Sequence, residues 1–142
     1  MSNIKIGSKF EREFCKMLSE SGFWVHRITP NASGQQPADV IAIKDGYHAL
    51  IDCKVVSNEK QGFSFQRVED NQRSSMELFK ARGGEVGWFA IRLLSGEVRM
   101  LHYNQLMVCE EQGMKRLTID DLQMSLFTWS FEQWVRRAEQ WR

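Results

Sequence analysis

Apolar positions near the N-terminus recur at helical spacing. Phe10, Phe14, Met17 and Leu18 fall at i, i+4, i+7 and i+8, predicting an amphipathic helix over about Lys9 to Ser21. Gly7-Ser8 would open it and Gly22 would close it in a left-handed turn. FWVHRI, residues 23 to 28, is rich in strand formers, and the polar run Thr29 to Gln36 reads as a loop. DVIAI and HALIDCKVV then form a hairpin about Lys44-Asp45-Gly46, read as a three-residue turn. A second loop, Ser57 to Gly62, leads to a helix of roughly Gln66 to Arg82 that stops at Gly83-Gly84. GWFAIRLL and EVRMLHY make another hairpin across Ser95-Gly96. The order helix, three strands, helix, two strands predicts an α/β fold with a mixed sheet flanked by helices.

The C-terminal SFEQWVRRAEQWR opens on a Ser-x-x-Gln capping box, Ser130 to Gln133, and sets Phe131, Trp134, Val135, Ala138 and Trp141 on one face. A helix that buries this face against its own domain is the expectation. A subunit interface or a DNA-facing aromatic surface are the alternatives.

The chain has 142 residues, 42% apolar and 26% charged, with no Pro-, Gly- or Ser-rich divide, so one domain spanning 1–142 is expected. Its core would occupy about 5–105, with a helical appendage at about 118–142. The charged N-terminus lacks the apolar stretch of a signal peptide, and no run of about 18 apolar residues occurs, so a cytoplasmic location is expected. Cys15, Cys53 and Cys109 lie far apart without C-x-x-C spacing, which argues for reduced structural thiols over zinc ligands or a disulfide framework. A net charge of +1 is silent about nucleic acid, because carboxylates gathered at a metal would mask a basic surface elsewhere.

Three charges inside the first hairpin change the picture. An unpartnered charge taken out of water costs several kcal/mol, yet Asp39 opens one strand, and Asp52 and Lys54 share a face of the next. The hairpin turn lets two carboxylates and an ammonium converge at one sheet edge. A hard divalent ion such as Mg²⁺ takes one or two carboxylates and completes its shell with water and phosphate. Lysine can orient or deprotonate an attacking water, or stabilise charge that develops in phosphodiester hydrolysis. The same triplet also reads as a hairpin salt bridge.

Two further positions weigh on that choice. At about 100° per residue, Glu11 lies roughly 60° from the Phe14 centre of the first helix's apolar face, better placed than Glu13 to reach the sheet. On the second helix the inward stripe Val68, Gln72, Ser75/Met76, Phe79 puts an amide where an apolar residue belongs. Gln72 therefore needs an interior partner, either in the site or on a backbone group.

GSKFERE, then PAD, then DCK, then FSFQRVEDNQ at the second helix resembles the PD-(D/E)xK nuclease superfamily and, within it, the Holliday junction resolvases. The Gly-Ser-x-x-Glu-Arg-Glu opening with GFWVHRI is similar to the archaeal-type resolvases, as is the helix ending in Arg-Gly-Gly. FSFQRVEDNQ is similar to the RecU-type bacterial and phage resolvases. The resemblance covers about residues 5 to 95, and its mixed pattern suggests a divergent, phage- or prophage-encoded member.

The resemblance implies a restriction-endonuclease-like core and an endonuclease that uses Mg²⁺, with Mn²⁺ as a substitute. It gives Glu11, Asp39 and Asp52 as metal ligands, and Lys54 and Gln72 as the remaining catalytic residues. Two departures stand out: Ala38 intervenes between Pro37 and Asp39, and Asp52 replaces the commoner Glu. A homodimer cutting opposed strands of a four-way junction is implied, in bacterial, archaeal or phage-infected cytosol. Lys9, Arg12, Arg27, Lys60, Arg67 and Arg73 are the candidate DNA contacts. The alternatives are a nuclease of the same fold acting on duplex, flaps or ends, a non-catalytic DNA-binding module, and a protein-interaction domain built on the Trp-rich C-terminal helix.

Overall fold

A computed structural model describes residues 3–28, 36 and 38–141, with side chains from Gly7 onward. Apart from Gln36, the expected Thr29 to Gln36 loop lies outside the described residues, as does Pro37. Six strands form the main sheet: β1 (Trp24–Arg27), β2 (Val40–Lys44), β3 (Tyr47–Val55), β5 (Trp88–Arg92), β6 (Val98–His102) and β8 (Trp129–Ser130), hydrogen-bonded in that order. All neighbours are antiparallel except β3 and β5, which run parallel. Parallel partners need a long crossover. Here it contains β4 (Phe63–Ser64), a 3-10 turn (Phe65–Arg67) and helix α2 (Asp70–Ala81).

The sheet is buried on both faces. On one lie helix α1 (Asn3–Glu20) and helix α5 (Phe131–Glu139): Phe10, Phe14, Leu18, Phe131 and Trp134 pack with Val40, Ala42, Ile51 and Trp88. On the other, Met76 of α2 and Leu106 of helix α3 (Tyr103–Glu111) pack with Leu50, Phe89, Ile91 and Leu101. The alternation along β3 follows from the strand's two-residue period: Ala49 and Ile51 face α1, while Leu50 and Val56 face α2. The expected helix order and mixed sheet are present, and Phe131, Trp134 and Ala138 of the C-terminal face are buried as expected, while Val135 is half-buried and Trp141, past the helix end, is exposed.

Several boundaries differ. Helix α1 begins at Asn3, because Ser8 does not cap it; its hydroxyl accepts hydrogen bonds from Arg12 and Arg27 instead. The first hairpin turns in two residues, with Lys44 opposite Tyr47 and Asp45 and Gly46 both at positive φ, as a type I′ turn requires. The second helix splits into the 3-10 turn and α2, divided at Val68, whose backbone is extended. The sequence reading also lacks α3, β4, strand β7 (Arg116–Leu117), helix α4 (Ile119–Leu122) and β8. Three of these are two-residue strands, too short to show a period, and β4 and β7 pair only with each other.

Candidate active site

The β2–β3 ladder ends where Val40 pairs with Ile51, so the next residues outward, Asp39 and Asp52, lie across from each other as the strands part. The Cys53 N–H, beyond the end of the ladder, donates to Asp39 Oδ2 at 2.7 Å, and Gln36 Nε2 donates to Asp39 Oδ1. Asp39 is 6% exposed and Asp52 1%.

Burial pushes the Asp39 carboxyl up to about 7, and the negative charge of Asp52 adds to the rise. Burial also raises Asp52, opposed by the Lys54 ammonium. Lys54 Nζ is 3.1 Å from Asp52 Oδ2, an ion pair, and this ammonium is the partner of an otherwise unbonded buried oxygen. Lys54 donates instead to the Arg67 carbonyl at 2.9 Å and lies 3.4 Å from Gln72 Oε1.

Gln72 answers both expectations at once. Its Oε1 accepts the Glu69 N–H at 3.1 Å, closing the N-terminus of α2, and the same atom faces Lys54. The turn that interrupts the second helix therefore aims Gln72 and the Arg67 carbonyl at the end of β3.

Glu11 reaches the same end of the sheet from α1. Burial raises its carboxyl, the nearby Asp39 raises it further, and a hydrogen bond from Arg27 opposes both. Two Arg27 donors converge on one oxygen, Nη2 at 2.7 Å and Nε at 3.2 Å from Glu11 Oε2. Among the described residues no three His, Cys, Asp or Glu side chains form a ready metal cluster.

The donor set nonetheless fits a hard cation. Two buried carboxylates face each other, one oxygen has the Lys54 ammonium alone for a partner, and burial holds both acids above their ordinary range. Asp39 and Asp52 are the residues that could hold it, with Glu11 within electrostatic range.

The candidate DNA contacts divide by partner. Lys9 and Arg12 are exposed on α1, Lys9 lying 4.0 Å from Glu13 and Arg12 bonded to Ser8. Lys60 is exposed in the 57–62 loop. The Arg67 guanidinium donates to the Val55 carbonyl at 2.7 Å. Arg73 is held bidentately by Glu110 at 2.7 and 3.0 Å, tying α2 to α3. The sequence reading passed over Gln36, which holds Asp39, and the backbone carbonyl of Arg67, which holds Lys54. A carbonyl carries no signal in side-chain type.

All three cysteines are unbonded. Burial and the nearby acids hold the Cys53 thiol well above its ordinary value, so it is inert beside the site. No described helix is long and apolar enough to cross a membrane.

The sequence profile of the archaeal Holliday junction resolvase (hjc) family matches residues 2–130. Comparison with curated proteins returns no match. Among solved structures, Hjc of Archaeoglobus fulgidus, a Holliday junction resolvase from an archaeal hyperthermophile, superposes with a TM-score of 0.54 at 17% identity, covering 68% of this chain and 76% of that chain. At that identity the likeness is one of fold.

Proposed function

This chain belongs to the archaeal Holliday junction resolvase family, and we propose on that premise that it is a Mg²⁺-dependent endodeoxyribonuclease that resolves four-way junctions by paired phosphodiester hydrolysis. The observation that carries the reading is the meeting of Asp39 and Asp52 where β2 and β3 part, with the Lys54 ammonium 3.1 Å from Asp52.

Asp39 and Asp52 would hold the metal, joined by Glu11 once Arg27 releases it, and Mn²⁺ would substitute. The bound ion supplies Lewis acidity and lowers the pKa of a coordinated water. The chain's own contribution is positional. Lys54, anchored by the Arg67 carbonyl and Gln72, presents its ammonium where negative charge develops as the water oxygen bonds to phosphorus and an ester P–O bond breaks. Burial of both aspartates keeps bulk water from competing for their oxygens.

Lys9, Arg12, Lys60 and Arg67 are the proposed phosphate contacts. Arg27 and Arg73 would join them by exchanging a carboxylate for a phosphate. Two sites on a two-fold homodimer would match the symmetry of the junction, acting in the cytoplasm.

The deciding experiment is cleavage of an end-labelled four-way junction, with and without Mg²⁺, against linear duplex and single strand of the same sequence. Symmetric metal-dependent nicks near the branch point, lost in Asp52→Ala, are expected. Equal cleavage of linear duplex would make it a general nuclease of this fold. Binding without cleavage would make it a DNA-binding module.

A further inference from the structure

Most cations near the proposed site are already matched by a carboxylate. Lys9 and Arg92 approach Glu13, Arg27 binds Glu11, and Arg73 binds Glu110. Among the described residues, Lys60, Arg67, Lys115 and Arg116 have no such partner and belong to one small substructure. Arg12 on α1, Lys80 and Arg82 at the end of α2 and Arg136 on α5 also lack one but are scattered over other elements.

That substructure is the two-stranded β4–β7 ribbon with its flanks. Phe63 pairs with Leu117, both fully buried, which by the two-residue period turns Ser64 and Arg116 to the opposite face. Phe65 N–H donates to the Lys115 carbonyl at 3.0 Å and extends the pairing by a residue. Gly62, at φ +59°, lets the 57–62 loop lie against β7; a Cβ there would clash with the Leu117 carbonyl oxygen. Lys60, Lys115 and Arg116 are thus displayed from a braced backbone. Arg67 spans the Phe63 ring at 5.9 Å, and its carbonyl holds Lys54. One continuous run therefore joins the ribbon to the proposed catalytic lysine.

Beside the ribbon lies an open groove of about 520 Å³, bordered by Ser64, Gln66, Lys115 and Arg116 and floored by Phe65 and Met114. The acids on its other wall are Asp70, at the start of α2, and Glu110, whose oxygens are both taken by Arg73.

We propose that this ribbon is a DNA-backbone rest. Lys115 and Arg116, continued by Lys60 and Arg67, bind successive phosphates of a duplex arm that leads away from the scissile phosphate. The proposal rests on the nuclease reading for its substrate, and concerns residues outside the reaction centre. Phosphate contacts of this kind fix register and orientation without reading sequence.

The test is the affinity of a labelled four-way junction, measured by fluorescence anisotropy in EDTA over about 50 to 200 mM salt. The full chain is compared with Lys115→Ala/Arg116→Ala and with Lys80→Ala/Arg82→Ala, an equal charge change at the exposed end of α2. Loss of two phosphate contacts lowers the slope of log affinity against log salt by about 2 and weakens binding about tenfold at the low end of that range. Lys115→Arg/Arg116→Lys restores both. Circular dichroism melting confirms that each variant is folded.

An unchanged slope in the ribbon variant overturns the proposal, as does an equal loss in the α2 variant, which would assign the effect to bulk charge. Cleavage by the parent reads the nuclease assignment separately. A parent that cleaves while the ribbon variant binds as well as it does keeps that assignment and loses the ribbon. A parent that binds through the ribbon without cleaving keeps the ribbon as a DNA surface and loses the nuclease, and one that does not bind the junction overturns both.

Discussion

Asp39 sits where a carboxylate pays for burial, and its ionisation is therefore coupled to folding. With its carboxyl raised to about 7 in the folded chain and near 3.9 when unfolded, the folded state keeps a proton that the unfolded state has lost between those values. Stability from this group is thus full at low pH and falls as pH rises through about 7. Asp39→Asn abolishes that fall, so the metal-free variant is expected to exceed the parent at pH 8 by an amount on the order of 1–4 kcal/mol. Urea unfolding from pH 4 to 8 measures the difference, and added Mg²⁺ should stabilise the parent alone. Lys54 and Gln72 act at the same scale. Truncating Lys54 to Ala should lower kcat about 10²–10³-fold. Gln72→Ala removes one anchor of that lysine and should lower kcat about 10–100-fold with KM little changed. It should also cost about 1 kcal/mol through loss of the α2 cap. Steady-state kinetics beside a urea melt separates the two effects.

Elements decide which of these residues meet, and here the sequence was unevenly legible. The β2–β3 hairpin could be read because alternation and Asp-Gly agree, and it brought Asp39, Asp52 and Lys54 to one end. The inward stripe of the second helix exposed Gln72 as out of place, although its break at Val68 was not visible, since Phe65 and Val68 are both buried and mimic a helical face. Glu11 was legible from helical spacing, but its double hydrogen bond from Arg27 was not, because that contact spans 16 residues. The ribbon was illegible, since two residues show no period and the partner strand is about fifty residues away. Gly62 carries its most exacting contact. Gly62→Ala combines a left-handed backbone with a backbone clash and should cost about 2–4 kcal/mol, read as a shift in urea midpoint at constant m-value.

At the scale of the molecule, the last strand and helix share the core that holds the site. Phe131, Trp134 and Ala138 of α5 pack with Phe10 and Phe14 of α1, the helix that carries Glu11. Losing one buried Trp costs about 3–5 kcal/mol against a total stability of about 5–15. Deleting residues 130–142 should therefore abolish cooperative melting and cleavage together; a truncated chain that still cleaves would mark the helix as a separate interaction device. The parallel pairing of β3 with β5 carries one more consequence, for the chain as it is made. Emerging from the ribosome, α1 through β3 can assemble from neighbours in sequence, but the far edge of β3 stays open until β5 is synthesised more than thirty residues later. An open strand edge running from Ile51 to Val55 invites pairing with other nascent chains. Substitutions that weaken α2 should therefore surface first as aggregation during expression, before any loss of activity in the protein that does fold.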